Sequence, residues 1–107
     1  MLYKFKSKAA GDLIMLQANG QRVLEIMGKN TSGPGIILPQ DMTSAIAALQ
    51  GAIESEETEQ QAAIARAKLQ GDVPPNFDAI SLRKRVGPLV EMLQRSEREN
   101  ASVTWGV

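Results

Sequence analysis

The sequence contains neither cysteine nor histidine. Without cysteine the chain has no disulfide, no thiol nucleophile and no thiolate metal ligand. Without histidine it lacks the side chain whose unperturbed pKa lies closest to neutrality, and with it imidazole metal ligation and every Ser-His or Cys-His catalytic arrangement. We therefore expect no catalytic residues of the familiar hydrolase kind, no metal site and no cofactor, and we expect that the protein is not an enzyme.

Aromatic residues and net charge are also low. Aromatic residues make up only 4% of the 107-residue chain, so aliphatic side chains and methionine must fill its core. Twelve basic residues balance twelve acidic ones, whereas nucleic acids and anionic lipids usually recruit an excess of positive charge. The length suits a single domain, 1–107. Nucleic acid is therefore not the expected partner.

Long apolar runs are missing as well. The N-terminal residues alternate lysine with apolar side chains, whereas a signal peptide has a continuous apolar stretch after its basic start. No apolar run reaches the length that spans a bilayer. We expect a cytoplasmic protein that does not contact a membrane.

Alternating side chains predict a strand at each end of the chain. In the segment 2–7, Tyr3 and Phe5 fall on one side of an extended backbone while the lysines fall on the other. At the other end, Trp105 lies in the middle of an alternating segment, 103–107. The apolar sides of these two strands can meet, so we expect the chain ends to share one sheet.

The segment 8–17 is compatible with two structures. Ser7 can cap a helix over it, or Ala10-Gly11 can turn the chain into a second strand. We favour the helix, and we expect the strand if the turn forms.

Three further elements lead to the middle of the chain. The apolar residues of the segment 21–27 predict a short helix that ends at Gly28. The segment 28–35 is rich in glycine and proline and is predicted to be a loop. Residues 36–38 are expected to extend briefly after it.

Two longer helices are predicted in the second half. Pro39 is a favourable first-turn residue, and apolar residues at positions 42, 46, 49 and 53 recur at helical spacing after it. Ser81 can cap a second helix that runs to Arg98. Pro88 should bend or restart this helix, and Asn100 should close it.

Between these helices lies a polar helical linker, 54–75, which fits a protruding helix, a frayed helix or a partly disordered and mobile segment. It begins with an acidic run of Glu54, Glu56, Glu57 and Glu59. Calcium loops interleave their ligands with glycine and asparagine in a tight turn. This run lacks that turn, so we interpret it as a solvated surface.

Together these elements predict an α+β fold. A small two- or three-stranded sheet formed by the chain ends is expected to pack against two main helices, with one or two short helices near the N-terminus. An all-helical core with marginal strands is the alternative.

Four residues form the candidate interaction surface: Lys4, Lys6, Lys8 and Lys29. They could meet an acidic partner, a phosphate ligand or a nucleic-acid backbone. Tyr3 and Phe5 would face away from them, so base stacking is not expected, and lysines that only solvate an exposed strand are the simpler interpretation. The segment 28–31 contains Gly-Lys but does not match a phosphate-binding loop.

Several segments together resemble one family. They are Phe5-Lys6-Ser7-Lys8-Ala9-Ala10, Asp12, Gly28-Lys29, Ile37 before Pro39, Pro88-Leu89-Val90-Glu91-Met92-Leu93 and Val103-Thr104-Trp105-Gly106-Val107. The chain resembles domain of unknown function 1840, a family of small bacterial proteins that look cytoplasmic. The resemblance spans nearly the whole chain outside 54–75, and it implies no catalytic or binding residue.

The leading hypothesis for function is a non-enzymatic protein-interaction or regulatory module, with a protein partner or self-association. It rests on the missing imidazole and thiol, on five methionines that suit an adaptable surface, and on the polar linker. One alternative is nucleic-acid or phosphate-ligand binding through the N-terminal lysines. The other is an enzyme that uses carboxylates or lysine only.

Overall fold

The computed structural model describes residues 2–77 and 81–106. Over these residues the elements follow in the order β1 Leu2–Ser7, β2 Ala10–Leu16, α1 Gln17–Ile26, β3 Gly35–Ile37, α2 Met42–Leu69, α3 Leu82–Arg98 and β4 Val103–Trp105. A 3-10 turn over Pro39–Asp41 leads into α2. The fold belongs to the α+β class, as predicted.

The four strands form one antiparallel sheet in the order β2-β1-β4-β3. Phe5 of β1 pairs with Trp105 of β4, which confirms that the two ends of the chain share a sheet. The predicted last residue of the terminal strand, Val107, lies outside the described residues. The sheet has four strands rather than the two or three expected, because residues 10–16 and 35–37 also extend.

The helix that we favoured for 8–17 is wrong. Residues 8 and 9 form a turn, and β2 then pairs with β1, with Phe5 opposite Leu13 and Tyr3 opposite Met15. Alternate residues of β2 thus add apolar side chains to the same face as the aromatic residues of β1. This pairing stabilises the strand, and α1 begins directly after it at Gln17.

The helices pack on one face of the sheet, and the core lies between the two layers. The sheet contributes the buried residues Phe5, Met15, Ile37, Val103 and Trp105, and the helices contribute Val23, Leu24, Met42, Ala45, Leu49, Ile53, Leu82, Val86, Leu89, Met92 and Leu93. Tyr3, Phe5 and Trp105 form a row across the sheet, with ring centroids 6.4 and 5.9 Å apart. Trp105 is buried, so it is a core residue.

The ends of α3 confirm the predicted boundaries. The Ser81 side chain accepts a hydrogen bond from the backbone N–H of Lys84 at 3.3 Å. At the other end Asn100 takes a left-handed conformation with φ of 54°, and the N–H of Ala101 donates to the carbonyl of Ser96 at 2.8 Å. The helix continues through Pro88 without interruption, so the restart that we allowed there is wrong.

The helix α2 has 28 residues and includes most of the predicted polar linker. Residues 54–69 therefore continue the helix, and Gly71 with φ of 75° closes it. The molecule is elongated, with extents of 51 × 29 × 22 Å. The mobility of this segment stays a prediction. Of the helices in the described ranges, none has both the length and the apolar character required to cross a membrane.

Candidate interaction surface

The face of the sheet that points away from the helices collects the even-numbered residues of β1. Leu2 pairs with Leu16 and Lys4 with Ile14 across β2, and Lys6 pairs with Thr104, which in turn pairs with Ile36. Paired residues in an antiparallel sheet point to the same side. We call the surface formed by Leu2, Lys4, Lys6, Ile14, Leu16, Ile36 and Thr104 the open face.

The open face exposes large apolar side chains. The exposed fractions are 62% for Leu2, 55% for Ile14, 66% for Leu16 and 45% for Ile36. Single exposed apolar residues are normal on protein surfaces, but several on one face usually mark an interaction site. Sequence reasoning missed this surface, because Ile14 and Leu16 belong to the segment that we expected to be a helix.

The structure brings three of the four predicted lysines to this region. Lys4 is exposed and Lys6 half-buried on the open face, and Lys8 is exposed in the turn that follows β1. Lys29 lies apart, in the turn after α1, where its N–H donates to the carbonyl of Leu24 at 2.8 Å. Within residues 2–77 and 81–106, none of these lysines forms an ion pair.

The lysines of β1 point away from the aromatic residues, as the alternation predicted. The strand β1 lies between β2 and β4, and β4 pairs with residues 5–7 of it. The interpretation that these lysines only solvate an exposed strand stays a prediction. Their positive charge is available to a partner of the open face.

A groove of about 630 Å³ borders the open face, and Lys4 and Lys6 line it together with Tyr3, Trp105 and the loop 31–34. The hydroxyl of Tyr3 donates to the carbonyl of Thr31 at 3.1 Å, which holds this loop against β1. The loop follows a helix and precedes a strand. It therefore does not have the strand, loop and helix order of a phosphate-binding loop, as predicted.

Two members of the acidic run connect α2 to α3, while 41% of the Glu57 side chain and 20% of the Glu56 side chain stay exposed. Glu57 accepts hydrogen bonds from Arg83 at 2.7 and 2.9 Å, and these bonds lower the pKa of the Glu57 carboxyl and raise that of Arg83. Glu56 accepts from the backbone N–H of Leu82 at 3.0 Å. That bond satisfies a free amide at the start of α3. These contacts were not predictable, because they depend on how α2 and α3 align.

In the part of the chain that the structure describes, no three acidic side chains are placed to hold a metal ion together. The groups with a shifted pKa, Glu57 and Arg83, pair with each other at the α2–α3 contact. Their role there is structural.

Comparison with known proteins identifies a family but no function. No curated protein and no solved structure matches the chain. A family model described as Domain of unknown function (DUF1840) matches residues 1–105. Because this match covers nearly the whole chain, the protein belongs to the DUF1840 family, as the sequence resemblance indicated.

Proposed function

We propose that this protein is a non-enzymatic protein-interaction module whose open face binds a polypeptide in which apolar side chains lie beside carboxylates. The observation that carries the proposal is the open face itself, where four exposed aliphatic side chains surround Lys4 and Lys6. A partner that covers this face needs apolar side chains to pack against the aliphatic residues and negative charge to pair with the lysines.

The size of the open face limits the strength of binding. Full burial of a leucine or isoleucine side chain contributes about 1.5–3 kcal/mol, so covering four half-exposed chains contributes roughly 3–7 kcal/mol. Association itself costs about 4–15 kcal/mol in lost freedom of motion. Apolar contact alone therefore offsets only the lower part of that cost. Carboxylates paired with the lysines must supply part of the affinity, so binding should weaken as salt increases.

Three other occupants fit the open face less well. A second copy placed face to face would bring Lys4 and Lys6 against the same lysines. Single-stranded nucleic acid binds exposed aromatic rings, but Phe5 and Trp105 are buried on the opposite face. Membrane-surface proteins commonly insert Trp or Phe, and the Trp and Phe of this sheet, Trp105 and Phe5, are buried. That the protein is not an enzyme, and that it is cytoplasmic, stay predictions.

Site-specific photo-crosslinking tests the proposal. We would replace Leu16 with the photoreactive residue p-benzoylphenylalanine and express the variant in cells that naturally make the protein. Leu69, which is 88% exposed on α2, provides a matched control position away from the sheet. We expect position 16, and not position 69, to crosslink one protein through a segment that contains both apolar and acidic residues.

A second variant tests the charge argument. Lys4→Glu together with Lys6→Glu should abolish the crosslink at position 16, whereas Lys84→Glu, an exposed lysine on α3, should not affect it. Crosslinking to RNA, DNA or lipid at position 16 would replace the proposed partner by one of the alternatives. The same products at positions 16 and 69 would contradict the proposal.

A further inference from the structure

The two edges of the sheet differ in how they are protected. Natural proteins protect free edges with short strands, proline, charged side chains or β-bulges. The strand β3 has three residues and lies between Pro34 and Pro39. The strand β2 has seven residues and contains neither lysine nor proline. A bulge lies between the pairs Ser7–Ala10 and Phe5–Leu13. After it, the four apolar residues 13–16 of β2 pair regularly with β1. Asp12 and the bulge protect the first half of β2 in part, and its apolar second half is an open template for another strand.

A groove of about 500 Å³ follows this edge, between the first half of β2 and the neighbouring side of α3. The helix runs antiparallel to the strand. Near the start of β2 the hydroxyls of Ser7 and Ser96 lie 2.8 Å apart. Beyond its end, Arg85 donates to the Asn19 side chain at 3.3 Å. The middle of the strand therefore lies near the middle of the helix.

The charges along this groove are balanced and ordered. Asp12 and Glu91 are acidic, and Arg95 and Arg98 are basic. Among the described residues none of the four forms an ion pair. In α3, Glu91 comes before Met92, and Arg95 and Arg98 come after Met92. A twofold rotation near Met92 exchanges the ends of the helix, so Glu91 of one copy would face the arginines of the other. The edge is complementary to itself.

We propose that two copies of this chain associate by antiparallel pairing of β2 with β2 about a twofold axis near the middle of the strand. Glu91 of each copy then faces Arg95 and Arg98 of the other. The two four-stranded sheets join into one continuous sheet, and their open faces stay uncovered. This inference is independent of the proposed function, since it uses the edge of the sheet and not its face.

Sedimentation equilibrium from low micromolar to near-millimolar concentration tests the association. The wild-type chain should approach twice its monomer mass of 11.6 kDa. Ile14→Lys introduces an edge lysine at an exposed position and should leave a monomer. Ile36→Lys makes the same change at an exposed position of β3 and should leave the dimer intact.

Charge reversal tests the orientation of the two copies. Glu91→Arg turns all four Glu91–arginine pairs of the dimer into repulsive ones and Arg95→Glu turns two of them, so each variant should weaken the dimer about tenfold or more. Mixing the two variants makes three of the four pairs across the axis attractive and should yield a one-to-one heterodimer. Lys84→Glu changes charge elsewhere on α3 and serves as the control.

Two results would overturn the proposal. The first is a wild-type chain that stays monomeric over the whole concentration range. The second is a dimer that survives Ile14→Lys and both charge reversals, which would place the interface elsewhere. Circular dichroism checks that each variant is folded. If Ile14→Lys unfolds the chain, the mixing experiment decides, because general destabilisation cannot produce a heterodimer from two weakened variants.

Discussion

Replacing Gly20 by alanine has two opposing effects on stability, a gain in helix propensity and a loss in packing. Gly20 lies inside α1, where glycine is less favourable than alanine by about 1 kcal/mol. A Cβ at this position would lie 2.5 Å from Cγ and 2.8 Å from Cβ of Tyr3. These atoms belong to the base of the tyrosine side chain, so rotation of the ring cannot remove the conflict. Either α1 or β1 must move.

The free energy lost through overpacking should exceed the free energy gained from helix propensity. Overpacking in a well-packed region costs about 1–3 kcal/mol, and a contact this close to the backbone of a paired strand falls at the upper end. Subtracting the gain of about 1 kcal/mol from propensity leaves a net loss of about 2 kcal/mol for Gly20→Ala. For a domain of this size such a loss lowers the melting temperature by roughly 8 °C or more.

Gly51→Ala is the matched control. Gly51 also lies inside a helix, α2, but a Cβ there would meet nothing within 4 Å. This change should therefore raise stability by about 1 kcal/mol. Urea unfolding followed by far-ultraviolet circular dichroism measures both variants. If Gly20→Ala is as stable as the wild type or more stable, the close packing of α1 on Tyr3 is refuted.

Three further predictions concern the contacts of α3. Because Arg83 lowers the pKa of Glu57, the wild type should be more stable than Glu57→Gln at neutral pH. This advantage should vanish as the pH falls through the lowered pKa of Glu57. Urea unfolding at several pH values measures it, and an advantage that does not change with pH would contradict the prediction. Asn100→Gly should stabilise the chain by about 0.5–1 kcal/mol, since Asn100 has a positive φ that glycine adopts without strain, and an unchanged melting temperature would argue against it. Ser96→Ala should cost about 1 kcal/mol, because it removes the buried partner of the Ser7 hydroxyl. Ser7→Ala added to it should cost only the bond that Ser7 accepts from the N–H of Ala9, as a double-mutant cycle would show.

Local signals predicted the element boundaries well. Ser81 begins α3, Asn100 ends it, and Gly28 ends α1 with φ of 75°, all as expected. Capping depends on one side chain or one backbone conformation within a few residues, so sequence patterns carry it. The pairing of the chain ends was also predictable, because both show an alternation that only a half-buried strand explains.

The segment 8–17 shows where local signals fail. Its four successive apolar residues, 13–16, suit a helix and a strand equally by periodicity. The turn at Lys8-Ala9 and the pairing of Leu13 with Phe5 decide for the strand. The error also concealed the candidate site, since Ile14 and Leu16 reach the open face only from a strand.

The amino-acid sequence by itself determined the α+β class, the strands at both ends, the main helices, the absence of imidazole and thiol chemistry, and the membership of the DUF1840 family. Tertiary structure alone decided that β1 is an inner strand, that its lysines stand among exposed aliphatic side chains, and that Glu56 and Glu57 hold α3. Composition and periodicity act over a few residues, whereas strand order and helix alignment join residues far apart in the chain, and those long-range contacts create the surfaces available for binding.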